Sequence, residues 1–256
     1  MEMVAGARLR RVQTRTENAR PYLQELKLIL NNLLGSSDDL SHPLITPREV
    51  KRIGLVVIGG DKGLCGSYNN NVIAAANAFL KNRSLKDVDL YLVGQKVITP
   101  FDKKGWSIKK TLVNWGDNIT MSLVQSLSSE LQAAFLEGIV DEVWLIYTDF
   151  HNIMTYNVVV EKLLHIDIPA PEKADFSTNY IFQPSEQEIF AAILPRYCLC
   201  KLQLALNESF TSELAARILA MRAATKNADE MANELTLVRN KLRQTGITRE
   251  LIEITS

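Results

Sequence analysis

Few residues in this chain have both the type and the spacing that chemistry needs. The run Gly59-Gly60-Asp61-Lys62-Gly63-Leu64-Cys65-Gly66 follows an apolar segment and precedes a helical one, where a phosphate-binding loop would lie. Its spacing matches neither GxxxxGK[ST] nor GxGxxG, so it reads as a glycine-permitted tight connection. Cys65 could act as a nucleophile near a helix N-terminus, but His42, His151 and His165 are scattered and no Cys/His pair is specified. It reads as a small buried residue. Asp141 and Glu142 look like the polar edge of a strand, not a paired acid and base. Cys198 and Cys200 stand two apart, so on a helix they point in different directions and nothing nearby completes a metal-ligand set. The expectation is a chain with no catalytic residue, no cofactor site and no metal site of its own.

The elements around these residues read as an α/β domain between two helical arms. Ile53 to Ile58 is a short apolar run ending at two glycines, a buried strand entering a turn. A helix is expected from Asn70 to Asn82, a strand from Leu90 to Val93, a short helix kinked or started by Pro100, and a strand from Ser107 to Val113. An amphipathic helix follows from Ile119 to Glu137. Glu142 to Tyr147 is another buried strand, and Tyr156 to Ile166 alternates enough to form a last, antiparallel one. Alternating strands and helices specify a Rossmann-like sheet domain over 51–176.

The arms carry the strongest pattern. From Arg196 to Ile254 the chain has no proline, and Leu214, Ile218, Met221, Thr225, Ala228, Met231, Leu235, Val238 and Leu242 step by threes and fours. A helix of about 60 residues spans about 90 Å, beyond the reach of a compact core of this size. Pro195 is placed to open it at the first helical position. At the other end Ala5, Leu9, Val12, Thr16, Ala19, Leu23, Leu26, Leu30 and Leu33 keep the same repeat. Its phase is unchanged across Pro21, which favours one kinked helix over two. The arms, 1–50 and 177–256, therefore pack as an antiparallel coiled coil. Placing Gly35 level with Arg196 sets Met1 opposite roughly residue 230 and leaves about 25 residues of α-helix with an apolar seam and no partner in the chain. Such a helix is sticky in water, so another protein is implied around it.

Composition narrows the classes. The 256 residues are 46% apolar and 23% charged with a formal net charge of zero, which argues against a generic nucleic-acid binder. Residues 1–34 are locally basic, with six Lys or Arg against three Glu. No run of 18 apolar residues exists and Met1 begins an amphipathic helix, so neither a membrane span nor a secretory signal is expected, and membrane association must come through partners. Three cysteines make a poor disulfide framework and fit a reducing compartment.

Several strings together resemble one family, the gamma subunit of the F-type ATP synthase. They are MEMVAGARLRR (Met1 to Arg11), RPY (Arg20 to Tyr22), GGDKGLCGSYN (Gly59 to Asn69), AARILAMRAATKNA (Ala215 to Ala228) and NKLRQTGITRELIEI (Asn240 to Ile254). The last is similar to the family signature Ile-Thr-x-Glu-x-x-Glu, here Ile247, Thr248, Glu250 and Glu253. The resemblance covers the whole chain.

It implies a non-catalytic rotor shaft, coupling proton flow through a membrane ring to the conformational cycling of catalytic beta subunits. The coiled coil would sit inside a ring of alternating alpha and beta subunits, and the α/β domain below it, against epsilon and the ring of c subunits. By position, Arg243 and Gln244 resemble the pair that hydrogen-bonds a beta catch loop, with Thr248 and Glu250 in the same zone. Met1 and Met3 would sit by beta's acidic lever segment. Tyr180 and Gln183, in YIFQPS, resemble the foot beside the c ring. The implied location is the cytoplasmic face of a bacterial plasma membrane or an equivalent energy-coupling membrane, held peripherally. Against the family pattern, the chain starts in the middle of the first helix and stops before the usual Gly-Ala, which implies a single-helix upper shaft. The alternatives are a cytosolic α/β enzyme or an adaptor with a coiled-coil oligomerisation arm.

Overall fold

In the computed structural model, residues 1–36, 40–116, 119–166, 183 and 185–255 are described. Two long helices, α1 (Glu2–Ser36) and α5 (Glu186–Thr255), flank β1 (Ile53–Ile58), α2 (Tyr68–Leu80), β2 (Val88–Val93), α3 (Gln95–Asp102), β3 (Ser107–Leu112), α4 (Met121–Leu136), β4 (Glu142–Phe150) and β5 (Tyr156–Leu164). The sheet order is β3-β2-β1-β4-β5. The first four strands are parallel and β5 returns antiparallel to β4. That is the doubly wound pattern expected from alternating elements, closed by an antiparallel edge.

Strand β1 is buried along its whole length because both faces of the sheet are covered. Leu55 and Val57 pack with Val72, Ala76 and Leu80 of α2 and with Val97 and Phe101 of α3. Val56 and Ile58 face the other way, into a larger core shared with α4, α1 and α5. One continuous core thus joins the sheet domain to both arms. Thr120 caps α4, its hydroxyl accepting from the Leu123 N–H at 3.3 Å, so the helix starts two residues later than the apolar pattern alone suggested.

The repeat over α1 is met by one continuous helix. The helix runs continuously through Pro21, with Ala5, Leu9, Val12, Thr16, Leu26, Leu30 and Leu33 buried and Ala19 and Leu23 half-buried. Helix α5 departs from expectation at its start. It begins at Glu186, and Pro195 lies inside it instead of opening it. Phe190, Leu194, Cys198, Leu202 and Leu206 keep one buried face through the proline, and that burial outweighs the lost backbone bond. Helix α2 likewise runs from Tyr68 to Leu80, about two residues ahead of the expected span, because Tyr68 itself is buried and belongs to its core face.

The arms are antiparallel, and cross-helix contacts fix their register. Thr16 meets Thr211 with hydroxyls 3.1 Å apart, Arg20 reaches Glu208, and Glu2 pairs with Arg222. Met1 is therefore level with about residue 223, not 230, because Gly35 lies level with about residue 192 and not with Arg196. More of α5 stands beyond the end of α1 than expected. One 18-residue window of α5 has mean hydropathy 1.5, which meets the length and composition of a spanning helix. Its buried residues lie in the main core against the sheet and α1.

Candidate functional site

From Arg222 to Thr255 every side chain of α5 except Asn240 is exposed. Met231, Leu235, Val238 and Leu242 continue the seam that Leu214 and Ile218 bury lower down, yet Leu235 is 61% exposed and Leu242 67%. Polar pairs within the helix hold it: Arg249 donates to Glu253 at 3.0 Å, and Lys226 stands 3.7 Å from Glu230. These i,i+4 pairs contribute about 0.3–0.5 kcal/mol each, far less than a partner helix would. The geometry is a rod with an uncovered seam.

Arg243, Gln244, Thr248 and Glu250 all stand on this rod. Gln244 and Thr248 are one turn apart, and the Thr248 hydroxyl bonds back to the Gln244 carbonyl at 2.9 Å. Arg243 and Glu250 lie seven residues apart, so they share a face. The four cover about half the helix circumference, a band and not a pocket. Met1 and Met3 are exposed at the tip of α1, 80% and 87% respectively. They are not beside Arg243: about 30 Å of helix separates the two levels. Gln183 is exposed just before α5, at the opposite end of the molecule, and Tyr180 lies outside the described residues.

The glycine run is a structural knot. The Gly60 N–H is held by Asn69 Oδ1 at 2.8 Å, the Asp61 carboxylate accepts from the Gln95 and Trp115 N–H groups, and the Trp115 indole donates to the Gly59 carbonyl at 3.1 Å. Gly94, with φ of 104°, lets β2 turn into α3 where a Cβ would lie 2.2 Å from the Gly59 oxygen. The Gly59 and Gly60 amides are thus taken, by the Val93 carbonyl and Asn69, and an acidic side chain at Asp61 occupies the loop. Cys65 is buried, and burial followed by Glu213 pushes its thiol above the usual range, the opposite of what a nucleophile needs. Burial also raises Cys198, to about 12, and raises Cys200.

Sequence reasoning missed a belt of buried polar side chains on α5, from Asn207 to Glu213, where the rod crosses the sheet. Ser209 accepts from the Thr148 N–H at 3.2 Å, Ser212 donates to the Thr148 carbonyl at 3.3 Å, and the Tyr68 hydroxyl donates to the Ser209 carbonyl at 3.0 Å. Arg20 of α1 donates to Glu208 Oε1 at 2.9 Å, reaches Asp149 at 3.4 Å and binds the Phe150 carbonyl. Glu213 pairs with Arg217 and packs against Gly60. Burial pushes Glu208 up to about 7, with Asp149 adding to the rise and Arg20 opposing it. Burial also raises Glu213, which Arg217 pulls back. The belt fixes rotation and height of the rod against the sheet, since the bonds of Glu208, Ser209, Thr211 and Ser212 each hold in one geometry. The only sequence trace was Arg20 in RPY and a polar interval within the apolar repeat.

A family model described as ATP synthase matches residues 1–256. The ATP synthase gamma chain of Protochlamydia amoebophila is 46% identical over 256 residues, covering 100% of this chain and 90% of that one. The ATP synthase gamma chain of Heliobacterium modesticaldum is 39% identical over 261 residues, covering 99% of this chain and 89% of its own. Among solved structures, the central stalk and c-ring assembly of the Tetrahymena thermophila mitochondrial ATP synthase contains a chain of similar fold, with a TM-score of 0.68 at 24% identity, covering 88% of this chain and 97% of that one. A chain in the Euglena gracilis mitochondrial ATP synthase superposes with a TM-score of 0.61 at 16% identity, covering 97% of this chain and 93% of that one. At those identities the structural likeness shows the fold, and the sequence relatives show the lineage. The chain belongs to the ATP synthase gamma chain family, the non-catalytic rotor shafts of F-type ATP synthases.

Proposed function

We propose that this chain turns as the central shaft of an F-type ATP synthase, with residues 223–255 of α5 seated inside a ring of alternating alpha and beta subunits. The observation that carries the reading is the uncovered seam: Met231, Leu235, Val238 and Leu242 face water on a helix that continues past the tip of α1. A sheath of other subunits would cover that surface. The shaft has no internal symmetry, so each beta subunit meets a different face of it at any moment. Differential contact with otherwise equivalent subunits is what shifts their nucleotide-site conformations in turn.

In this reading the mechanical parts follow the divisions 1–50, 51–176 and 177–256: two arms and a sheet domain, joined by a single core. Arg243 and Gln244 hydrogen-bond a loop of beta, with Thr248 and Glu250 at the same level, and Met1 and Met3 lie lower, by beta's acidic lever segment. Tyr180 and Gln183 form the foot on the c ring, and epsilon docks on the sheet domain. The solved structures it resembles are parts of assemblies described as central stalk and c-ring, or as containing F1 and the c-ring, which supports the placement of the foot. The protein works as part of a membrane-associated complex, and we place it on the cytoplasmic face of a bacterial plasma membrane or an equivalent energy-coupling membrane.

The test is reconstitution with alpha and beta subunits, size-exclusion chromatography and an ATP hydrolysis assay. Co-elution as a single copy in the complex is expected. Arg243→Ala with Gln244→Ala should leave the melting temperature of the free chain unchanged while lowering turnover of the complex. Turnover equal to that of the unsubstituted complex would remove the catch-loop assignment. Failure of the chain to co-elute with alpha and beta would remove the shaft reading.

A further inference from the structure

The joint between shaft and sheet has a charge arrangement that the shaft's rotation does not by itself require. One guanidinium, Arg20, faces two carboxylates from two other elements, Glu208 of α5 and Asp149 of β4. The Glu208 side chain is 4% exposed, and one Arg20 nitrogen stands 2.8 Å from Glu208 Oε1 and 3.4 Å from Asp149 Oδ1, so the two carboxyls flank the same donor. The other titratable groups around them are Tyr147 of β4, Glu161 of β5 and His151 just after β4, whose Nε2 is 3.2 Å from Asp149 Oδ2. Arg20 is the cation that α1 contributes, and Lys201 of α5 is held by Glu161 at 2.8 Å. Glu208 and Asp149 thus share one guanidinium, with Glu208 buried and Asp149 and Arg20 partly open to water.

We propose that Arg20, Asp149 and Glu208 form a proton-sensitive latch that clamps α1 and α5 to β4 when one of the two carboxyls holds a proton and loosens when both are ionised. With one proton on the carboxyl pair, Arg20 neutralises the remaining charge. Without it, the joint buries a net negative charge between like charges, which low dielectric makes costly. The sign follows from the direction of the shift. Burial first, then Asp149, lifts Glu208 to about 7, above the usual carboxylate range. The stabilising state is therefore complete in the ordinary acidic carboxylate range and is lost as pH rises through about 7. The consequence is a shaft whose attachment to the sheet domain softens with rising pH, at the point where Ser209 and Ser212 also pin α5 to Thr148.

The test is thermal melting of the full chain against Glu208→Gln, at about pH 4 and about pH 8.5, below the ordinary carboxylate value and above the raised one. Glutamine keeps the neutral form at both. The two chains should melt together at the lower pH, and Glu208→Gln should melt higher at the upper pH, by about 2–4 °C. A variant that melts lower than the unsubstituted chain by the same margin at both pH values overturns the latch and leaves an ordinary ion pair. Should Glu208→Gln not fold, carbon-13 titration of side-chain carboxyls in the unsubstituted chain decides the matter. One carboxyl titrating near neutral pH supports the latch; all of them titrating in the ordinary acidic range overturns it.

Discussion

The lower and upper halves of α5 have the same seam spacing and opposite surroundings. From Phe190 to Ile218 the seam is buried against α1, α4 and the sheet, while from Met231 to Ile254 every large apolar side chain is exposed by about half or more. A heptad pattern states that a face will be covered and does not state by what. Here the change falls where Glu2 meets Arg222 and where Met1 and Met221 line one cavity. The lower half is held by its own chain. The upper half has its seam exposed.

The sharpest way to break this comparison is to make the same truncation in each half. Leu202 is fully buried, so Leu202→Ala should destabilise the free chain by about 2–5 kcal/mol, read as a lower urea midpoint. Leu235→Ala should move that midpoint by less than about 0.5 kcal/mol, because the side chain already faces water. In the complex with alpha and beta the second substitution should become costly. Equal effects in the free chain would mean that the upper half is covered in solution and that the contrast is false.

Thiol chemistry sharpens the same contrast by rate. Cys198 is fully buried and its thiol is raised to about 12, whereas Cys200, two residues on, is half-buried. Under native conditions iodoacetamide should modify Cys200 first and Cys198 roughly a hundredfold more slowly, limited by opening of the core. A Leu235→Cys chain should label at the new position as fast as a free thiol does. Protection of that position in the free chain would place a partner, or self-association, on the upper seam.

How much of this was legible in sequence depends on the range of the interactions. Strand β1 was read residue for residue from Ile53 to Ile58, and α1 was read through Pro21, because both patterns are local and repeat. The start of α5 was misread at Pro195, since a local rule for proline was outweighed by a buried face continuous from Phe190 to Cys198. The polar belt was invisible for the same kind of reason. Glu208 and Thr211 find partners in Arg20 and Thr16, about 190 residues away along the chain, and local spacing carries no sign of such pairings. The band around Arg243 was legible only by resemblance: on an exposed helix the residues look like ordinary solvated side chains, and the partner that would give them meaning is another protein.

The smallest expected effect lies at the boundary itself. Arg222 donates to Glu2 Oε1 through Nε at 3.1 Å and through the terminal nitrogen at 2.9 Å, with the two side chains 66% and 37% exposed. It is the last cross-helix ion pair before α5 runs on alone, and it closes the two-helix section only if it holds the α1 tip in place. An exposed pair of this kind contributes about 0–1 kcal/mol, and salt screens it within a Debye length of about 8–10 Å. Arg222→Gln should therefore speed amide exchange at Ala5, whose N–H bonds to the Met1 carbonyl, without changing the exchange of the core around Leu26 and Leu30. High salt should abolish the difference between the two chains. An effect much larger than about 1 kcal/mol, or one that salt leaves intact, would make this pair a structural clasp. The split between the halves would then be enforced at Arg222.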